Sequence, residues 1–341
     1  MKIVIIGAGA VGGVIAGYLS NLNYNLQLVC KHREILDTIE NNGLRVEGLK
    51  EHIIAYPDTV IDISQITEKP DIIFLATKAN DVIELCKNLL PVLKEDTVFV
   101  SLQNGIMEDK IAEIVKPERT IGCVVGWGAT MSGYGRLEIT SDGEFIIGEL
   151  DGQITHRLLV IKSILEKIFE TKISTNIFGA LWSKLIINSC ITTLGAITGL
   201  YLGEMLKLKL ARTIFLHVVT EAVHVARAAK INLEKIGGKI DPYRLVLSAD
   251  EFGKDFSFSL LKKHLIIRLI GLKYKRLKSS SLQSLERGKP TEIDFLNGFI
   301  VSKAQQYNIA VPVNQKLVNI VKDIEAGKVK IDPENLHKIL T

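Results

Sequence analysis

The sequence has few of the residues that mark specialised chains. Its 341 residues include four cysteines, eight prolines and 6% aromatics. The cysteines (Cys30, Cys86, Cys123, Cys190) are scattered, with no CxxC pair and no His/Cys cluster. That argues against a disulfide scaffold and a zinc site, and fits reduced thiols in a cytoplasmic protein. The net charge of +4 is too small to imply nucleic-acid binding. No uninterrupted apolar run reaches membrane-spanning length, and no signal peptide is expected, because an apolar strand begins at residue 2 and is cut by glycines. A composition of 47% hydrophobic and 23% charged residues is that of an ordinary globular protein. The length implies two domains or one large one.

Against that background the N-terminus stands out. Residues 2–6 (KIVII) read as a buried strand, followed at once by Gly7-Ala8-Gly9-Ala10-Val11-Gly12-Gly13 and an apolar helix. This is the dinucleotide-binding arrangement. Gly7 permits the tight turn, Gly9 lets backbone approach a pyrophosphate, and Gly12 lets helix and strand pack closely. Amides at the helix N-terminus then hold phosphate.

Strand and helix alternate through the first half. Residues 25–30, 71–77 and 97–102 read as strands, 44–56 as a small hairpin around Gly48, and 81–93 as a helix. Such alternation predicts an α/β fold with a Rossmann-type, doubly wound parallel sheet. The short β-rich pieces in 120–150 are expected to extend that sheet antiparallel. From about residue 179 the pattern turns helical, with stretches at 180–200, 204–230, 244–277, 292–307 and 315–326. The expectation is a dinucleotide-binding domain over 1–175 and an all-helical substrate and catalytic domain over 176–341.

Candidate site residues follow. The second strand ends in Lys31-His32-Arg33 with no acid at its tip. Lys31 and Arg33 can neutralise a ribose 2′-phosphate, which points to NADP over NAD, although Glu34 is close. Lys78 and Asn104 follow strands whose carboxyl ends line the ligand crevice, a place that favours function over a solvated helix-start lysine and a turn-forming Asn-Gly. Lys184 enters a strongly apolar helix with Asn188 one turn on. Burial would lower its pKa and make it a usable acid, unless it snorkels to solvent. Thr291 is placed to cap a helix with Asp294 completing a capping box, so that Glu292 falls in the first turn.

Taken together, GAGAVGG, the QNG after a strand, W-x-K-L-x-x-N and GKPTEIDFLNG occur in an order that resembles the ketopantoate reductase family. The resemblance spans nearly the whole chain and implies NADPH-dependent reduction of a 2-keto acid. It implies that Lys184 is the general acid, that Glu292 grips the substrate's distal hydroxyl, and that Asn104 and Asn188 hydrogen-bond in the site. It also implies that Ser280 binds the substrate carboxylate and Lys31 the 2′-phosphate. No metal is implied. The chain departs from the family pattern at Thr192 and Leu202, where asparagines are usual, which leaves room for another branched 2-keto acid. The stretch 260–278 holds seven lysines and arginines and no acid. It reads as a solvated face, a dimer contact or an anionic-surface helix.

Overall fold

The computed structural model describes residues 1–235, 240–254 and 256–340. Two compact units divide the chain, Met1–Leu181 and Trp182–Thr341.

The first unit opens with β1 (Ile3–Ile6), α1 (Ala10–Asn21), β2 (Leu26–Val29) and α2 (Arg33–Asn42). Three short strands follow: β3 (Leu44–Gly48), β4 (Ile53–Ala55) and β5 (Asp58–Val60). Then come β6 (Ile72–Leu75), α3 (Ala79–Leu89), β7 (Val98–Ser101), α4 (Glu108–Val115) and β8 (Thr120–Val125). The unit continues with β9 (Gly128–Gly133), β10 (Arg136–Ser141), β11 (Phe145–Glu149), α5 (His156–Leu165) and β12 (Thr171–Ile173).

Eight strands form one sheet in the order β12-β11-β8-β7-β6-β1-β2-β5. From β5 through β8 all pairings are parallel. Read from β5, this is the 3-2-1-4-5-6 order of a doubly wound dinucleotide fold, with the order reversing between β1 and β6. The central strands are buried along their whole length, which explains their uninterrupted apolar runs.

Residues 120–150 do not all extend this sheet. β8 joins it parallel to β7, and β11 joins antiparallel to β8. β9 and β10 instead leave it for a second sheet, ordered β4-β3-β10-β9. The cause lies in helix α1. A Cβ at Gly13 would meet Leu137 of β10 at 2.5 Å, and one at Gly17 would meet Val46 of β3 at 2.9 Å. Two side-chain-free positions on one helix face thus admit a second layer where the first sheet could not reach.

Helix α6 (Ile177–Thr198) carries the chain from the first unit into the second. It is long and apolar enough to cross a membrane by length and composition, but 78% of that apolar window is buried inside the protein. The second unit continues with α7 (Leu202–Met205), α8 (Lys209–Ala228), α9 (Phe258–Lys273), α10 (Ser280–Glu286), α11 (Asn297–Gln306) and α12 (Pro312–Glu325). Among the described residues no strand follows β12.

The helical pattern of 204–230 is broken after α7. Leu208 is extended, and Arg212 donates from Nη1 to the carbonyls of Leu206 and Lys207 at 2.8 and 2.7 Å, capping the end of α7. The expected helix over 244–277 begins only at Phe258, and residue 255 within that span lies outside the described residues. All four cysteines are free and buried; burial pushes the thiols of Cys30 and Cys86 up to about 12.

Candidate active site

The glycine turn is built as its residue types require. Gly7 has φ of +113°, and a Cβ there would sit 2.7 Å from the carbonyl oxygen of Ala76, just past the end of β6. A Cβ at Gly12 would lie 2.1 Å from the Gly7 carbonyl oxygen. At Gly9, by contrast, a Cβ would meet nothing within 4 Å. Backbone closes on two sides of the turn and leaves the third open, which is the space a pyrophosphate needs.

The 12-residue helix α1 starts on Gly9 with no side-chain cap and no acid in its first turn. The helix start at Ala8, Ala10 and Val11 therefore offers backbone amides to an anion at the point where the strand order reverses. Nearby, at the end of β6, the buried Thr77 Oγ1 has no hydrogen-bond partner. An orphaned donor at a strand's carboxyl end fits a bound polar ligand.

Lys31 is exposed and pairs with Asp81 Oδ2 at 2.9 Å. Asp81 lies in the first turn of α3, so the cation assigned to a 2′-phosphate is held between β2 and α3. Arg33 is exposed at the start of α2, and Lys78 is exposed as the N-cap residue of α3. Asn104 is half-buried on the turn after β7, beside Gly105 with φ of +91°.

The residue that shapes this turn was not singled out by sequence reasoning. Gln103 is buried and donates from Nε2 to the carbonyls of Leu75 and Thr77, at 2.9 and 3.2 Å. It ties the Asn104 turn to the end of β6. Only its place between a core leucine and an asparagine could have hinted at this.

In the second unit, Lys184 and Asn188 are half-buried one turn apart on α6, while Ser183, Leu185, Ile186 and Ile187 are buried. Three contacts gather the other candidate elements around α6. Trp182 meets Phe299 of α11 edge-on at 5.6 Å between ring centroids. Thr193 Oγ1 donates to Asn297 Oδ1 at 2.5 Å, and a Cβ at Gly195 would lie 2.6 Å from Ser279 Oγ.

Ser279 is the N-cap of α10, its side chain accepting from the Leu282 amide at 3.2 Å, and Ser280 is the exposed first helical residue. Ser280 therefore starts a helix. The Asn297 side chain continues to Asn314 at 2.9 Å, and Asn314 to Glu221 at 2.7 Å. This buried chain locks α6, α11, α12 and α8 together, and desolvation raises the Glu221 pKa.

The capping box expected at Thr291 does not form. Thr291 Oγ1 accepts from the Ile293 amide but donates to Glu325 Oε1 at 2.7 Å, while Asp294 pairs with Lys322 of α12 at 2.7 Å. Pulled this way, the chain makes only a 3-10 turn over Ile293–Phe295, and α11 begins at Asn297. Half-buried Glu292 is thus the N-cap residue of that short turn rather than part of a first α-helical turn. The departures from the family pattern are both interior: Thr192 is buried, and Leu202 is a core residue of α7.

A parallel sheet whose order reverses at a glycine turn defines a dinucleotide-binding protein of the doubly wound α/β class. Residues 3–152 match the family model for ketopantoate reductase PanE/ApbA, and residues 176–325 match its C-terminal counterpart. The chain is 31% identical to the 2-dehydropantoate 2-reductase of Pyrococcus horikoshii, covering 96% of this chain and 98% of that one. The crystal structure of a PanE/ApbA family ketopantoate reductase from Ralstonia eutropha superposes with a TM-score of 0.81 at 28% identity, over 96% and 99% of the two chains. A ternary structure of D-mandelate dehydrogenase with NADH and anilino(oxo)acetate shares the fold, with a TM-score of 0.79 at 23% identity over 96% and 99%. The chain belongs to the ketopantoate reductase family.

Proposed function

We propose that the protein is an NADPH-dependent 2-dehydropantoate 2-reductase. The observation that carries this reading is one chain combining the open glycine cradle at Gly7–Gly12 with Lys184 and Asn188 on the half-buried line of α6. In this reading residues 1–175 bind the dinucleotide and 176–341 bind substrate, in the cytoplasm. The nicotinamide cofactor supplies hydride. The first-turn amides of α1 hold its pyrophosphate, Lys31 and Arg33 its 2′-phosphate, and Lys78 and Asn104 the crevice side. Lys184 donates the proton to the substrate's carbonyl oxygen and stabilises its developing negative charge. Asn188 orients that carbonyl, Ser280 binds the carboxylate, and Glu292 accepts from the distal hydroxyl.

The test is a spectrophotometric assay with ketopantoate and a panel of branched 2-keto acids. NADPH oxidation with ketopantoate as the preferred substrate is expected. No turnover across the panel would sink the reading, and preference for another branched acid would favour the related reductase that buried Thr192 and Leu202 leave open.

A homodimer belongs to the same proposal. From Phe256 to Leu272, seven apolar side chains (256, 258, 261, 265, 266, 269 and 272) are 37–71% exposed. Within α9 most of them form a stripe opposite the buried Leu260, Ile267 and Ile270. A standard interface takes ~800 Å² from each partner, and this stripe offers an apolar centre for one. Lys262, Arg268 and Lys273 edge the stripe, where long side chains stay solvated. Light scattering is expected to report a dimer that Leu265→Asp splits. A wild-type monomer at micromolar concentration would refute it.

A further inference from the structure

Helices α8 and α9 pack against each other, and positive charge gathers where they meet. Arg212, in the first turn of α8, donates from Nε to His264 Nδ1 of α9 at 3.4 Å. From Nη1 it donates to the Leu206 and Lys207 carbonyls, at 2.8 and 2.7 Å. Arg268 follows His264 by one turn and so shares its side of α9. Among the described residues no acid pairs with Arg212, His264 or Arg268, and the first turn of α8 holds none.

Arg212 is held as a preformed donor. A guanidinium carries five hydrogens on three nitrogens. One goes to His264 and two to backbone carbonyls, which leaves those on Nη2. Because His264 accepts at Nδ1, its neutral ring carries its hydrogen on Nε2, a second donor. Exposed Arg268 supplies a third. Burial and the Arg268 charge lower the Arg212 pKa, and burial, Arg212 and Lys209 lower that of His264. These cations therefore repel one another, and the partial burial of Arg212 strengthens that repulsion. A tetrahedral dianion would reverse it and fill the free donors with charge-assisted hydrogen bonds, for which the guanidinium fork is suited.

We propose that Arg212, His264 and Arg268 form a binding site for the phosphate group of a small soluble ligand. The positive end of the 20-residue α8, which has no side-chain cap, adds to the field there. Bound there, the anion ties α9 to the α7–α8 junction, because the same guanidinium holds the carbonyls that end α7. The apolar stripe beside the cluster is assigned above to a second copy of the chain. That favours a soluble phosphate over a lipid headgroup.

Thermal unfolding with inorganic phosphate tests the site. Chloride at equal ionic strength is the reference, and saturating NADPH fills the cofactor's own phosphate contacts. An anion that binds only the native state raises Tm. The phosphate-specific rise should appear in the wild type and in Lys262→Ala, whose side chain lies on the opposite edge of the stripe. Arg268→Ala should need about tenfold more phosphate for the same rise, as expected for one lost charge-assisted hydrogen bond. Its Tm in chloride should be unchanged or higher, since a repulsion is removed, and its NADPH affinity should match wild type. Equal phosphate responses in wild type and Arg268→Ala would overturn the proposal. So would an equal loss in Lys262→Ala, which would mean diffuse attraction only.

Proton NMR of the histidine rings gives an independent reading. The His264 pKa is lowered in the free protein and should rise with phosphate, because a dianion favours the charged ring. His264→Gln identifies the signal. A His264 titration that phosphate does not move would refute the site whatever Tm shows. Sedimentation with phosphatidate vesicles separates the source: pelleting that depends on Arg268 would overturn the soluble ligand in favour of a lipid headgroup. Absent keto-acid turnover would sink only the reductase reading.

Discussion

The two units carry their candidate residues on different material. The first uses backbone: three glycines, the free amides of α1 and a carbonyl latch through Gln103. The second offers candidate side chains, Lys184, Asn188, Ser280 and Glu292, in a helical unit where a buried Thr193–Asn297–Asn314–Glu221 chain ties four helices together. A backbone site fails when atoms are added. A side-chain site fails when a functional group is removed, and its scaffold can survive the loss.

Three substitutions sharpen that contrast. Lys184→Ala should have the largest effect on catalysis. Removing a general acid is expected to lower kcat by roughly 10²–10⁴-fold with NADPH affinity unchanged, as steady-state kinetics would show. A rate within a few-fold of wild type would assign the proton to another group.

Gly12→Ala should behave oppositely. Its Cβ would sit 2.1 Å from the Gly7 carbonyl oxygen, which backbone cannot yield cheaply. Overpacking of this kind costs about 1–3 kcal/mol, and the glycine turn should lose cofactor affinity with it. Calorimetry and NADPH titration would both detect the change.

Asn297→Ala is the mildest of the three. It leaves the buried Thr193 hydroxyl without its acceptor and Asn314 Oδ1 without its donor, at about 1–3 kcal/mol. Stability should fall more than kcat. If kcat fell as far as in Lys184→Ala, the separation between scaffold and chemistry in the helical unit would be wrong.

The same division governs what could be read from sequence. Gly7, Gly9 and Gly12 were legible because a backbone site can be written with few residues. The parallel strands were legible because burial on both faces forces unbroken apolar runs. The second sheet was not, because β9 and β10 alternate like any edge pair and only α1's Gly13 and Gly17 reveal their destination. Helical periodicity ran on through Leu206–Leu208, where Arg212 ends α7 from four residues downstream of the break. At Thr291 the local capping signal was sound, but Glu325 and Lys322, about 30 residues away, took its partners.

The buried cysteines have a practical consequence. Burial raises the Cys30, Cys86 and Cys190 thiols far from the thiolate form, so a native molecule should resist alkylation. Three of the four thiols lie in the first unit, and Cys190 alone lies in the second. The chain thus carries its own clocks. Mass-resolved labelling of Cys190 against the other three would time the opening of each unit separately, with no engineered probe.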